Sequence, residues 1–174
     1  MMWLWWVLGG LAVLVVVPLV IGMLLPRRYS SSVKLRLNRT PEEVWKALND
    51  HRQHPMTGSM CKQQEELKAR DGKPVWREEM GSSTITVETL EEKPPHRLVR
   101  KMKDSVVPME TRWEYTFQPA DGGTLVEVRE EGAIDNGTWH VPIFRLMVRL
   151  TAGAGIKAQL KSVAKSLGGE AQAA

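Results

Sequence analysis

The stretch TRWEYTFQPADGGTLVEV, residues 111–128, decides the fold. Trp113, Tyr115 and Phe117 alternate with Arg112, Glu114 and Thr116, and Asp121, Gly122 and Gly123 then supply a turn. On the return, Val126 and Val128 alternate with Glu127 and Arg129. A period of two on both sides of a Gly-rich turn specifies an antiparallel hairpin with one dry face and one wet face.

The same pattern extends upstream. Strands are expected at residues 62–69, 74–80, 83–91, 97–103, 110–118 and 124–133, with turn signals at Asp71-Gly72, Gly81, Pro94-Pro95 and Val107-Pro108 between them. Residues 33–39 alternate as a further half-buried strand. Thr40-Pro41-Glu42-Glu43 then reads as a helix start, with Thr40 as cap, Pro41 in the first turn and Glu43 closing a capping box. At the other end, residues 142–167 keep near-helical apolar spacing as one long amphipathic helix, which Gly153 and Gly155 weaken in the middle.

This order, with Pro41, Val44 and Trp45 after the first strand, resembles the START-like, or helix-grip, superfamily. Its polyketide cyclase/dehydrase and lipid-transport (SRPBCC) group is the nearest branch, and the likeness covers roughly residues 32–168. The resemblance implies an α+β fold in which a curved antiparallel sheet of six to seven strands grips the C-terminal helix around a cavity for an apolar ligand. These are signatures of a fold, and fold alone does not settle function.

An aromatic and methionine set is placed to line that cavity: Trp76, Met80, Met102, Trp113, Tyr115, Trp139, Phe144 and Met147. Nine methionines and seven tryptophans against two phenylalanines fit an adaptable apolar lining and a closed core alike, and the gap that the resemblance implies between sheet and helix brings the lining level with the core. No catalytic constellation, cofactor or metal is expected. His51 and His54 lack a third ligand spaced with them, and a zinc site needs at least three. The pairs Glu78-Glu79, Glu91-Glu92 and Glu130-Glu131 lie on strands, so one member of each faces in at most, and neither serves as a dyad. Cys61 has no base placed beside it, and no phosphate loop or nucleophile elbow is present.

The chain opens with residues 2–25, which carry no charge, and stops at Pro26-Arg27-Arg28. As a helix this run is ~36 Å long, enough for a ~30 Å hydrocarbon core. Its length, and the absence of a basic residue before Arg27, favour a retained anchor over a cleaved signal. Arg27, Arg28, Lys34, Arg36 and Arg39 all follow it. The positive-inside bias therefore predicts a single-pass protein of the inner (cytoplasmic) membrane, its N-terminus outside and its domain in the cytoplasm. The expected organisation is an anchor at 1–28, a linker at 29–32, a START-like domain at 33–168 and a frayed tail at 169–174. A net charge of +4 is too small and too dispersed for nucleic acid.

The expected function is binding of a lipid or other apolar small molecule drawn from the membrane, where a tether raises the local concentration of the domain. Two alternatives stand beside it. One is an enzyme of cyclase or dehydrase type using His140, Tyr115 or a buried Glu as its acid–base group. The other is a non-catalytic interaction module for a membrane complex, its protein partner unspecified. The five basic residues at 145, 149, 157, 161 and 165 read as a solvated face or a contact with anionic headgroups.

Overall fold

The computed structural model describes residues 2–173, without the side chains of residues 2, 4, 8, 11 and 12. Helix α1 (Met2–Leu24) leads into β1 (Arg28–Leu37) and α2 (Pro41–Asn49). A loop with one 3-10 turn at Gly58–Met60 precedes β2 (Gln63–Arg70), β3 (Lys73–Glu79), β4 (Thr84–Lys93), β5 (Arg97–Asp104), β6 (Met109–Ala120) and β7 (Gly123–Ile134). Helices α3 (Val141–Thr151) and α4 (Ala154–Ser166) and a short β8 (Ala171–Ala173) close the chain.

All eight strands form one curved antiparallel sheet in the order β2-β3-β4-β5-β6-β7-β1-β8. The 111–128 hairpin forms as its alternation requires. Tyr115 faces Val128 and Phe117 faces Val126 across β6 and β7, and all four are buried. The capping box of α2 also forms, with Glu43 N donating to Thr40 Oγ1 at 3.4 Å and Thr40 N donating to Glu43 Oε2 at 3.0 Å. Val44 and Leu48 of α2 and Ile156, Leu160 and Val163 of α4 complete a single core against the sheet.

Three expectations change. Residues 29–32 are no linker, because Tyr29 to Ser32 already pair with Gly132 to Arg129 of β7. Backbone pairing outweighs the polarity of Ser30, Ser31 and Ser32 there. The tail is not free, since residues 171–173 pair with β1 and Glu170 N donates to Asn38 Oδ1 at 2.9 Å. The long C-terminal helix is two helices, parted at Gly153, which takes a left-handed φ of 79° that non-glycine residues avoid. An added Cβ there would sit 2.9 Å from Val33 Cγ2.

Among the described residues no helix is long and apolar enough to cross a membrane. The anchor expected at 1–28 thus falls partly outside the described residues, and the described ones do not support it. What they do show is an apolar helix with uncovered side chains, Trp5 75% and Trp6 80% exposed. Its C-terminal end packs on α3 so closely that a Cβ on Gly22 would lie 1.9 Å from the Pro142 carbonyl oxygen.

Candidate functional site

The sheet–helix interior is built from alternation that carries two charged residues inward. On β3, Trp76 and Glu78 share a face, with Met80 just past its end, and on β5, Leu98, Arg100 and Met102 do. Trp76, Glu78 and Leu98 are fully buried and Arg100 is 1% exposed. A buried carboxylate is costly unless its oxygens are satisfied. Glu78 meets that demand with four donors: Met56 N at 2.9 Å and Trp76 Nε1 at 2.7 Å on Oε1, and Thr57 N at 2.9 Å and Thr57 Oγ1 at 2.7 Å on Oε2. It thereby fastens the loop after α2 to the sheet.

Arg100 caps the end of α2, where backbone carbonyls lack helical partners. Its Nη1 donates to Leu48 O at 3.0 Å and its Nη2 to Asn49 Oδ1 at 2.9 Å. The guanidinium carbon lies 5.0 Å from the centre of the Trp76 ring, and His51 stacks on the same indole at 4.3 Å. Burial pulls the arginine below its ordinary value, yet a guanidinium stays charged in any relevant pH range.

Three polar groups of this interior converge on one sulfur. Arg100 Nη1 at 3.7 Å, Tyr115 Oη at 3.6 Å and Gln159 Nε2 at 3.5 Å all point at Met56 Sδ. A thioether is among the weakest acceptors in a protein. The single hydroxyl proton of Tyr115 has Gln159 Oε1 at 2.9 Å as its better acceptor, so the hydroxyl approaches the sulfur without a second proton to give. Complete burial drives its phenol far above the usual range, so it keeps that proton.

The family model described as polyketide cyclase / dehydrase and lipid transport matches residues 28–168. The chain belongs to this family. No curated protein matches it. Among solved structures it is similar to the Zhui aromatase/cyclase of Streptomyces sp. R1128, at 15% identity and TM-score 0.62 over 80% of this chain and 92% of that one. Ara h 8.0201 gives 10% identity and TM-score 0.63 over 80% and 97%. The di-domain aromatase/cyclase BexL of the BE-7585A biosynthetic pathway gives 13% and 0.61 over 80% of this chain, which spans half of BexL. At these identities the likeness is one of fold.

Within this cyclase/dehydrase-family fold, Trp76, Met102, Trp113 and Tyr115 are buried in the interior and Met80 packs at its edge. Trp139, Phe144 and Met147 are elsewhere, which corrects their expected place. Trp139 is 72% and Met147 57% exposed, and Phe144 joins a small separate cluster with Tyr29, Ile134 and Val141. The break at Gly153 makes residues 141–151 a separate helix, α3, whose Val141 and Phe144 pack on Tyr29 and Ile134 at one end of the sheet and whose start packs on α1. Four surface pockets of about 380–460 Å³ are lined by none of the five interior residues. The interior set of Glu78, Arg100 and Gln159 around Met56 is not among the residues expected from sequence, although charged residues on apolar strand faces were its signal.

Among the described residues no group of three or more His, Cys, Asp or Glu is placed to hold a metal ion. Burial pushes the Cys61 thiol up, keeping it protonated. His54 is 6% exposed with Ser166 Oγ 3.0 Å from its Nε2, and His51 lies against Trp76. Burial holds both below the ordinary imidazole value, and the Arg100 charge adds to the effect on His51. The unfolded chain therefore takes up protons below about pH 6.5 that the folded chain refuses, so stability falls as pH drops. Buried Glu130, whose carboxyl burial raises, acts in the opposite sense. The urea midpoint of a His51→Gln/His54→Gln double variant is thus expected to fall less than that of the parent between pH 7 and pH 5. Parallel curves would refute this.

Proposed function

We propose that the chain is a binding domain for an apolar small molecule that carries a hydrogen-bond-accepting oxygen, held between the sheet and α4. The observation that carries this reading is the convergence of Arg100 Nη1, Gln159 Nε2 and the Tyr115 hydroxyl on the Met56 sulfur. A carbonyl or hydroxyl oxygen in that place would accept from Arg100 and Gln159 far better than a thioether does. Met56 then acts as a stopper, on a loop whose attachment to the sheet includes the hydrogen bonds to Glu78. Trp76, Met80, Met102, Trp113 and Tyr115 supply the walls.

The test is titration of the full chain with an environment-sensitive naphthyl ketone. Removing the stopper with Met56→Ala is expected to tighten binding at least about tenfold, because the competent state no longer has to be opened. Adding Arg100→Met to that variant should abolish the gain. Equal binding by parent and Met56→Ala would end the proposal. Native mass spectrometry of gently purified chain should also show one small adduct.

A cyclase-type reaction is favoured by one feature, a cation and a phenol aimed at one point, a pair able to stabilise an enolate oxygen. It lacks a base. Glu78 is taken up by four donors, Tyr115 keeps its proton, and His140 is exposed beside Thr138.

We further propose that α1 sits in the inner (cytoplasmic) membrane with the domain in the cytoplasm. Supporting this are its uncharged sequence, its exposed Trp, Val and Leu side chains and the arginines at 27 and 28. The full chain is expected to remain in the membrane pellet after alkaline carbonate extraction, and its release would count decisively against the anchor.

A further inference from the structure

Two arginines on α3, Arg145 buried and Arg149 half-buried, reach back to the end of α1 and the start of β1 without an acid to meet them. Arg145 is 4% exposed. Its Nη1 donates to Gly22 O at 3.2 Å and Leu25 O at 3.4 Å, and its Nη2 to Ile134 O at 3.1 Å and Asn136 Oδ1 at 3.3 Å. One turn on, Arg149 Nη2 donates to Pro26 O at 3.1 Å and Arg28 O at 2.8 Å. Every acceptor is neutral, and both Nε atoms are buried without a partner. Among the described residues no carboxylate pairs with either.

The charge is only partly offset. The free carbonyls at the end of α1 present roughly half a negative charge, against two full positive ones. A buried cation left unpaired is strongly unfavourable. Both hydrogens on each Nη of Arg145 are already held by these neutral acceptors, so an anion beside it is attracted by the charge and not by a free fork.

Beside Arg145 lies a pocket of about 430 Å³ between the end of α1 and the start of α3. Leu19, Met23, Val141 and Trp139 form its apolar wall, and Arg145 with the polar stretch 136–138 is among the rest of its lining. An apolar slot beside an under-compensated cation suits a particular chemistry. We infer that this junction binds an anionic amphiphile, its acyl chain along Leu19, Met23 and Trp139 and its carboxylate or phosphate at Arg145. The site is separate from the interior around Met56. It rests on the bilayer reading of α1 only for the supply of ligand, since membrane phospholipid and free fatty acid share this chemistry.

The test uses the full chain in neutral detergent, probed by native mass spectrometry. Dioleoylphosphatidylglycerol is set against dioleoylphosphatidylcholine, and oleate against oleyl alcohol. One anionic molecule per chain is expected, preferred at least about tenfold over its uncharged or zwitterionic counterpart. Retention of the phosphatidylglycerol alone assigns a lipid headgroup, and of oleate alone a free fatty acid. Arg145→Gln should remove the preference. Leu19→Trp should block the pocket while leaving the arginine in place, which keeps the test decisive if the first variant unfolds. No preference in the parent, or full preference in both variants, overturns the inference. Persistence of the preference in Arg100→Met separates this site from the interior one, and loss there would refute it. Carbonate release of the chain would remove the bilayer seat of α1 and leave this result standing.

Discussion

Glu78→Ala is expected to cost about 3–5 kcal/mol, the loss typical of removing one member of a buried charged network. The reason is local and countable. Trp76 Nε1, Met56 N, Thr57 N and Thr57 Oγ1 all donate to this carboxylate. Alanine leaves the donors buried there without an acceptor, each a desolvation penalty. For a domain of this size the melting temperature should fall by roughly 10 °C or more. Glu78→Gln keeps one acceptor oxygen but brings its own donors against existing ones, so about 1–3 kcal/mol is expected. Urea unfolding followed by tryptophan emission measures both. A loss below about 1 kcal/mol for the alanine variant would show that the loop is held by other contacts.

Arg100→Met is expected to separate stability from binding. Replacing a buried charge by an apolar side chain of similar length is often close to neutral, so the folded state should change by about 1 kcal/mol or less. Leu48 O and Asn49 Oδ1 lose their donor, but the desolvation cost of the guanidinium goes with it. Binding of the naphthyl ketone to the Met56→Ala background should weaken by about 10- to 100-fold, the value of a hydrogen bond from a charged group. Unaltered affinity would mean that the ligand oxygen, if present, lies away from the arginine. Severe unfolding would instead assign Arg100 a structural role as the cap of α2.

The strand order and the α2 start were legible because period-two alternation and a capping box are local signals. Tyr115, Trp113 and Phe117 face inward as their spacing requires. The split of the last helix was visible only as two weak glycines, since the left-handed turn at Gly153 is chosen by packing against Val33 and Ser31. That turn displaced Trp139, Phe144 and Met147 from the expected lining. The interior polar set was legible in part. Alternation places Glu78 with Trp76 and Arg100 with Leu98 and Met102, so both charges were readable as inward-facing. Met56 was not, because its position depends on a loop fixed by a carboxylate more than twenty residues later. The same holds for Arg145, which the spacing of basic residues put on an outer face and long-range carbonyl contacts to α1 turned inward.

The join between α1 and the sheet has no slack. Leu24 ends the helix, β1 is already paired at Arg28, and Arg149 grips the carbonyls of Pro26 and Arg28 in between. Helix and sheet are in effect one rigid shaft and blade. Each residue of twist about the α1 axis would swing the blade by ~100°. Whatever surrounds α1 therefore sets the compass bearing of the domain, and a neighbour that gripped one stripe of the helix would choose which way the sheet faces.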